Sequence, residues 1–171
     1  MGTVLFLTLR AAHVLLAAIW IGATVFTSFM LMPVIESSGP AGGQLMQSLE
    51  RKGLTAFFAA LGGTTVLTGI YLFWRFTGGF DPEVSKTHAG LAFGIGGLFG
   101  LVAVIIGGSV MGRSSRRLLA LMDQLPKASD AQKGALMQEA AMLRGRMKSF
   151  GTIVLACQIL ALLLMAVGHY I

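Results

Sequence analysis

The chain has 171 residues, of which 55% are hydrophobic and only 12% are charged, and its mean hydropathy is +0.78. The hydrophobic fraction and the mean hydropathy lie above those of soluble domains, and the charged fraction lies below. These values predict an integral membrane protein. The net charge of +6 comes from 13 basic and 7 acidic side chains. Because no aromatic residues interleave with the basic ones in the loops, we interpret this charge as membrane topology, and we expect no nucleic-acid surface.

Four long apolar runs predict four transmembrane helices. They cover approximately residues 4–33, 54–76, 87–111 and 150–171, and each can supply the ~20 helical residues that cross a hydrocarbon core. Since no run shows the alternating pattern of a lipid-facing barrel, the predicted fold class is all-α. We expect one four-helix transmembrane bundle over residues 1–171. The first run is longer than the apolar region of a secretion signal, so we expect it to remain as the first helix.

The first two connections are predicted to differ in kind. Residues 36–52 begin with a Ser/Gly/Pro cluster and end in a sequence with helical spacing, which predicts a loop with a helical exit. The second connection, TGGFDPEVS, contains the turn residues of a tight link.

The third connection, residues 112–149, predicts a helical hairpin beyond the membrane. Helical spacing continues from the third run as far as Pro126, and Ser129 or Asp130 is placed to cap a second helix. An apolar stripe in that helix could pack on the extension of the third helix or lie on lipid headgroups; it consists of Leu136, Ala140, Leu143 and Met147.

The basic residues predict the orientation. Ten of the thirteen lie on the side of the first and third connections, and an excess of Lys and Arg near helix ends marks the cytoplasmic side. We therefore expect a multi-pass protein of the bacterial inner membrane, with the hairpin in the cytoplasm and both termini outside.

Three histidines are predicted to share the outer half of the membrane. His88 begins the third helix and His169 ends the fourth, where residence at the membrane interface would explain them. His13 lies deeper, within the first helix, and an ionisable side chain at that depth indicates a functional site. The alternative is a neutral imidazole bonded to a carbonyl or hydroxyl of a neighbouring helix.

Other side chains at the same level make haem b the leading hypothesis. Imidazole nitrogens can bind the iron, apolar helices can surround the porphyrin, and basic side chains can pair with two propionates. The candidate cofactor-binding residues are His13, His88, His169, Arg10, Arg75, Lys86, Trp20 and Tyr71. The glycine-rich start of the third helix, HAGLAFGIGGLFG, would let a flat cofactor, a neighbouring helix or a second copy of the chain approach its backbone.

The first helix also carries a family resemblance. The stretch H-V-L-L-A-A-I-W-I-G from His13, followed by Phe26 and Pro33, resembles the first helix of CopD-like membrane proteins and of the related HemJ type of protoporphyrinogen oxidase. The resemblance implies a four-helix membrane domain that binds haem, as proposed for HemJ, or takes part in copper handling, as in CopD. HemJ proteins carry a functional lysine two residues after the histidine of helix three. Here that residue is Gly90, which argues against HemJ chemistry.

Three functions remain open from the sequence. The first is a haem b protein that transfers electrons or acts as an oxidoreductase linked to quinone or an oxidant, with a quinone or redox partner. The second is a copper or small-solute handling protein with metal ligands among His13, His88, His169 and Met165. The third is a structural membrane subunit without a ligand. Whether the chain is an enzyme is open, and no catalytic residue can be assigned.

Overall fold

The structure, a computed structural model, describes residues 2–171, and within that range it is helical with no strands. Four continuous helical stretches are long and apolar enough to cross a membrane: Gly2–Ser37, Leu54–Phe76, His88–Lys127 and Asp130–Val167. The all-α fold class and the four apolar helices are therefore confirmed. The individual helices are α1 (Gly2–Phe26), α2 (Met32–Ser37), α3 (Gly39–Arg51), α4 (Leu54–Phe76), α5 (Pro82–Ser85), α6 (His88–Ile106), α7 (Gly112–Gln124) and α8 (Asp130–Val167).

Two π-helical segments extend the first and third apolar helices without a break. Thr27–Leu31 joins α1 to α2, and Gly107–Met111 joins α6 to α7. At the end of each segment an amide donates to the carbonyl five residues earlier, from Met32 to Thr27 and from Gly112 to Gly107. Each segment thus closes a wider turn than an α-helix does.

The long helices alternate in direction, so the molecule has two ends with different side chains. α1 packs against α4, α4 against α6 and α6 along α8, while α1 and α8 also touch. One end, which we call the histidine end, carries Arg10, Arg75, Lys86, His88 and His169. The other, the basic end, consists of α3, α7 and the first half of α8.

All four apolar helices contribute to one buried core. Trp20 from α1, Ala103 from α6 and Val154 and Cys157 from α8 are buried together, and Phe58 and Leu61 from α4 pack against them. A Cβ on Gly62 of α4 would lie 2.8 Å from Trp20 Cζ2 and 2.9 Å from Val104 Cγ2. The indole therefore fits against the bare backbone of α4.

The irregular first part expected in residues 36–52 is wrong, because the segment is almost entirely helical, whereas the expected helical exit agrees with the end of α3. α2 continues through Ser37, and α3 begins at Gly39 after a turn in which Gly39 has φ of +55°. A proline in the first turn of α3 suits a helix start. Asp123 of α7 then holds α3 in place: it accepts from Gln47 Nε2 at 2.7 Å and from Arg51 Nη2 at 2.6 Å.

α7 and the first half of α8 pack side by side at the basic end. Leu118 and Leu121 are buried with Ala140, and the neighbouring apolar side chains of α8 are Leu136, Leu143 and Met147. Ser129 and Gln132 form a capping box at the start of α8. Arg117 donates to both carboxylate oxygens of Glu139, at 2.7 and 3.0 Å, and this hydrogen bonding lowers the pKa of the carboxyl.

One buried amide in α8 is unsatisfied. Gln158 is 1% exposed, and within residues 2–171 neither its Oε1 nor its Nε2 has a hydrogen-bond partner. Burying such a group costs free energy.

We expect Gly62→Ala to destabilise the protein by about 1–3 kcal/mol, because the added methyl group would overlap the indole of Trp20. Gly63→Ala is the matched control, since a Cβ there meets no heavy atom within 4 Å. Thermal unfolding in detergent, followed by circular dichroism, measures both. Equal melting temperatures for the two variants would contradict the close packing of Trp20 on Gly62.

We expect Gln158→Leu to raise the free energy of unfolding by about 1–3 kcal/mol, and with it the melting temperature. The substitution removes an unsatisfied buried amide and keeps the side-chain volume. Gln158→Asn retains the amide and should not stabilise the protein. A lower melting temperature for Gln158→Leu would instead indicate that the amide binds a group such as an ordered water.

Candidate functional site at the histidine end

His13 is anchored to α4 through one ring nitrogen. Its Nδ1 lies 3.0 Å from the Thr65 carbonyl oxygen and 3.0 Å from Thr68 Oγ1. A carbonyl can only accept, so Nδ1 carries the proton and donates it to Thr65. In a neutral imidazole Nε2 then keeps its lone pair. The ring is half-buried. Its hydrogen bond to Thr65 favours one tautomer, in which the Nε2 lone pair remains for a ligand.

Gly69 of α4 gives the imidazole its space. A Cβ on this residue would lie 3.0 Å from His13 Cε1, so the ring lies against the helix backbone. Trp20 and Gly62 make the equivalent contact two turns away. His13 and Trp20 are seven residues apart on α1, and their two glycines are seven apart on α4. In antiparallel helices this spacing brings both pairs into register.

His169 forms a hydrogen bond with Arg10. Arg10 Nη2 lies 2.6 Å from His169 Nε2, and because a guanidinium can only donate, Nε2 is the acceptor. The ring is therefore neutral in this arrangement, and its Nε2 lone pair is already used. Phe93 contacts the same ring edge to face, with 5.1 Å between ring centroids. This contact joins α1, α6 and α8 at the histidine end.

His88 is exposed at the start of α6, where Thr87 Oγ1 accepts from the Gly90 amide at 3.1 Å. The structure explains the glycine two residues after His88. A Cβ on Gly90 would lie 2.7 Å from the Ser85 carbonyl oxygen. α5 therefore leaves no room for a side chain at the position where HemJ proteins have a lysine.

The remaining candidate residues are divided between the exposed surface of the histidine end and the interior of the molecule. Lys86 pairs with Glu83 at 3.6 Å, whereas Arg75 is exposed and enters no ion pair among residues 2–171. Tyr71 packs against Trp74, with 5.9 Å between ring centroids. Trp20, in contrast, lies in the core and not at the exposed surface.

The glycine-rich start of α6 has two different faces. A Cβ on Gly96 would lie 3.3 Å from the Ala161 carbonyl oxygen and 3.2 Å from Met165 Cγ, so this face packs closely on α8. The adjacent Gly97 has no heavy atom within 4 Å of that position. Met165 consequently lies between α6 and α8, and only the Gly97 face is open.

The structure thus brings Arg10 to His169 and places His13 against α4, but it does not gather the three imidazoles into one cluster. In the part of the chain described, residues 2–171, no group of three His, Cys, Asp or Glu side chains is arranged to hold a metal ion. The Nδ1 contacts of His13 match the alternative given for it, a bond to a carbonyl or hydroxyl of a neighbouring helix. Thr65 and Gly69 were not identified as its partners from the sequence. The equal seven-residue spacings on α1 and α4 are the signal that could have found Gly69.

No protein-family model, curated protein or solved structure matches this chain. The resemblance to the CopD-like and HemJ proteins therefore depends on the residues quoted above. The chemistry of the histidine end is therefore the basis for a proposed function.

Proposed function

We propose that this protein binds haem b at its histidine end and serves as a one-electron carrier or as an oxidoreductase linked to quinone or an oxidant. The tautomer of His13 supports the proposal most directly. Histidines that ligate a metal commonly donate the other ring N–H to a carbonyl, which fixes the ring and raises the basicity of the ligating nitrogen. Thr65 provides that carbonyl, and Nε2 is left for the iron.

The second proposed ligand is His169, two residues after the end of the neighbouring α8. Arg10 lies one helical turn from His13 and contacts His169, so the same guanidinium links both imidazoles to one region. His169 would become available when Arg10 turns instead to an anion, and a haem propionate is such an anion. Arg10 and Arg75, which enters no ion pair among residues 2–171, are therefore the residues we assign to the two propionates.

Each side chain has a separate task in this proposal. Thr65 and Gly69 hold the His13 ring in place. Haem b held by His13 and His169 would supply one-electron chemistry, which favours electron transfer. Copper binding of the CopD type has less support, because Met165, its proposed thioether ligand, packs against Gly96 of α6.

The topology is part of the proposal. We place the protein in the bacterial inner membrane as a four-helix bundle, with the basic end, including the α7–α8 hairpin, in the cytoplasm and both termini outside. The histidine end would then face a quinone or redox partner from the outer half of the membrane. The open Gly97 face of α6 is available for a second copy of the chain.

We expect protein purified from haem-replete cells to show a Soret band and His13→Ala to lose it, because the anchored ligand is removed. His169→Ala should retain haem but change its low-spin spectrum to high-spin, since one axial ligand is lost. His88→Ala is the control and should resemble the wild type. Absorption spectra and haem-to-protein ratios measure all three. A wild-type protein without a Soret band, or an unchanged band in His13→Ala, would falsify the proposal.

We expect Gly69→Ala to perturb haem binding through the position of His13. The new methyl group would lie 3.0 Å from Cε1, so the ring has to shift by a few tenths of an ångström. The measurement is a displaced Soret maximum or a several-fold lower haem content. Gly63→Ala, on the same helix with open space around it, should leave both unchanged. Identical spectra for the two variants would show that the ring on Gly69 is not the ligand.

A further inference from the structure

A groove at the basic end has the features of a lipid site. It lies between the start of α4 and the π-helical segment that leads into α7, and its volume is about 300 Å³. Thr55 and Ala56 of α4 form one side, and Gly108 and Ser115 form the other. This volume is at the lower limit of those typical for small-molecule sites, about 300–1,000 Å³.

The groove lies at the boundary between apolar and charged sequence. Leu54 begins the apolar helix α4, and Met111 ends the apolar run of the third long helix. Both walls therefore change from apolar to polar at the groove. Whichever side of the membrane the basic end occupies, this boundary is the level of lipid headgroups.

Two opposite charges line the groove without pairing. Neither Glu50 nor Arg116 enters an ion pair among residues 2–171, although the adjacent Arg51 and Arg117 both do. The Glu50 carboxylate accepts from Thr55 Oγ1 at 2.8 Å, which orients it and leaves further lone pairs. The groove is thus lined by one carboxylate, Glu50, that can bind a cationic group and by one guanidinium, Arg116, that can bind an anionic group.

The rest of the lining is apolar or small. Ala56 and Ala59 follow α4 into the membrane, and Leu119 lies on the opposite wall. Gly108 has no heavy atom within 4 Å of its Cβ position, so the π-helical segment keeps the groove open there. An acyl chain could follow this surface from the charged groups toward the hydrocarbon core.

We infer that the groove binds phosphatidylethanolamine. Arg116 matches the lipid phosphate, because a guanidinium donates two parallel hydrogen bonds to it. Glu50 matches the primary ammonium, which has N–H groups to donate. Phosphatidylcholine lacks those N–H groups, and phosphatidylglycerol would offer Glu50 only the neutral hydroxyls of its glycerol, which donate without the charge of an ammonium. The arrangement of charges therefore selects the zwitterionic lipid with a primary amine.

Native mass spectrometry of the full chain in detergent tests this inference, with phosphatidylethanolamine, phosphatidylcholine and phosphatidylglycerol of identical acyl chains. We expect the wild type to prefer phosphatidylethanolamine over each of the other two by about tenfold, as one charge-assisted hydrogen bond would give. Glu50→Gln should abolish the preference over phosphatidylcholine. Arg116→Gln should weaken binding of all three lipids. Arg113→Gln removes a charge that does not line the groove and should change nothing.

A blocking variant tests the groove without altering its charges. Gly107 and Gly108 both have open space around the Cβ position, but only Gly108 lines the groove. Gly108→Leu should abolish the lipid preference, while Gly107→Leu keeps it and helical content stays equal in both.

Phosphatidylglycerol binding at least as tightly as phosphatidylethanolamine, or a preference unchanged by Gly108→Leu, would overturn the inference. The readout does not involve haem. His13→Ala, at the opposite end of the molecule, should keep the lipid preference whether or not haem binds.

Discussion

Two rings on α1 that fit against two glycines on α4 determine much of this structure. The four long helices are apolar enough to cross a membrane. Between helices in a bilayer the hydrophobic effect contributes little, so close van der Waals packing would hold them together. Trp20 on Gly62 and His13 on Gly69 supply such packing at two levels of the same interface. Because the spacing is seven residues on both helices, one antiparallel register satisfies both contacts.

The same interface links stability to the candidate site. Trp20 continues from α4 into the core shared with α6 and α8, so the register of α1 depends on the buried interior. His13 then receives its position, its tautomer and its hydrogen bond to Thr65 from that register. The imidazole is therefore held by secondary structure and not by a loop, which is the arrangement that gives a binding site the most defined geometry.

The sequence predicted those features that depend on local composition. The bounds of α4 agree with the predicted residues 54–76, because charged and turn residues flank a continuous apolar run. The first part of residues 36–52 was expected to be a loop, whereas α3 already begins at Gly39, and its contacts with the distant Asp123 do not follow from local composition. A carbonyl or hydroxyl partner was one of the two interpretations of His13, but Thr65 and Thr68 were not identified as that partner, since hydrogen bonds between helices depend on a register that composition does not contain. Glycine spacing carried that information, but only when two helices were read together.

The π-helical segments separate the surface chemistry of adjoining helices. One additional residue in a turn rotates everything that follows by about 100° around the axis. The face of α6 that contacts α8 and the face of α7 that buries Leu118 and Leu121 consequently differ in their angular position around one continuous helix. Gain or loss of one residue within Gly107–Met111 would therefore turn the surface of α7 around the helix axis, while α6 keeps its contacts with α8.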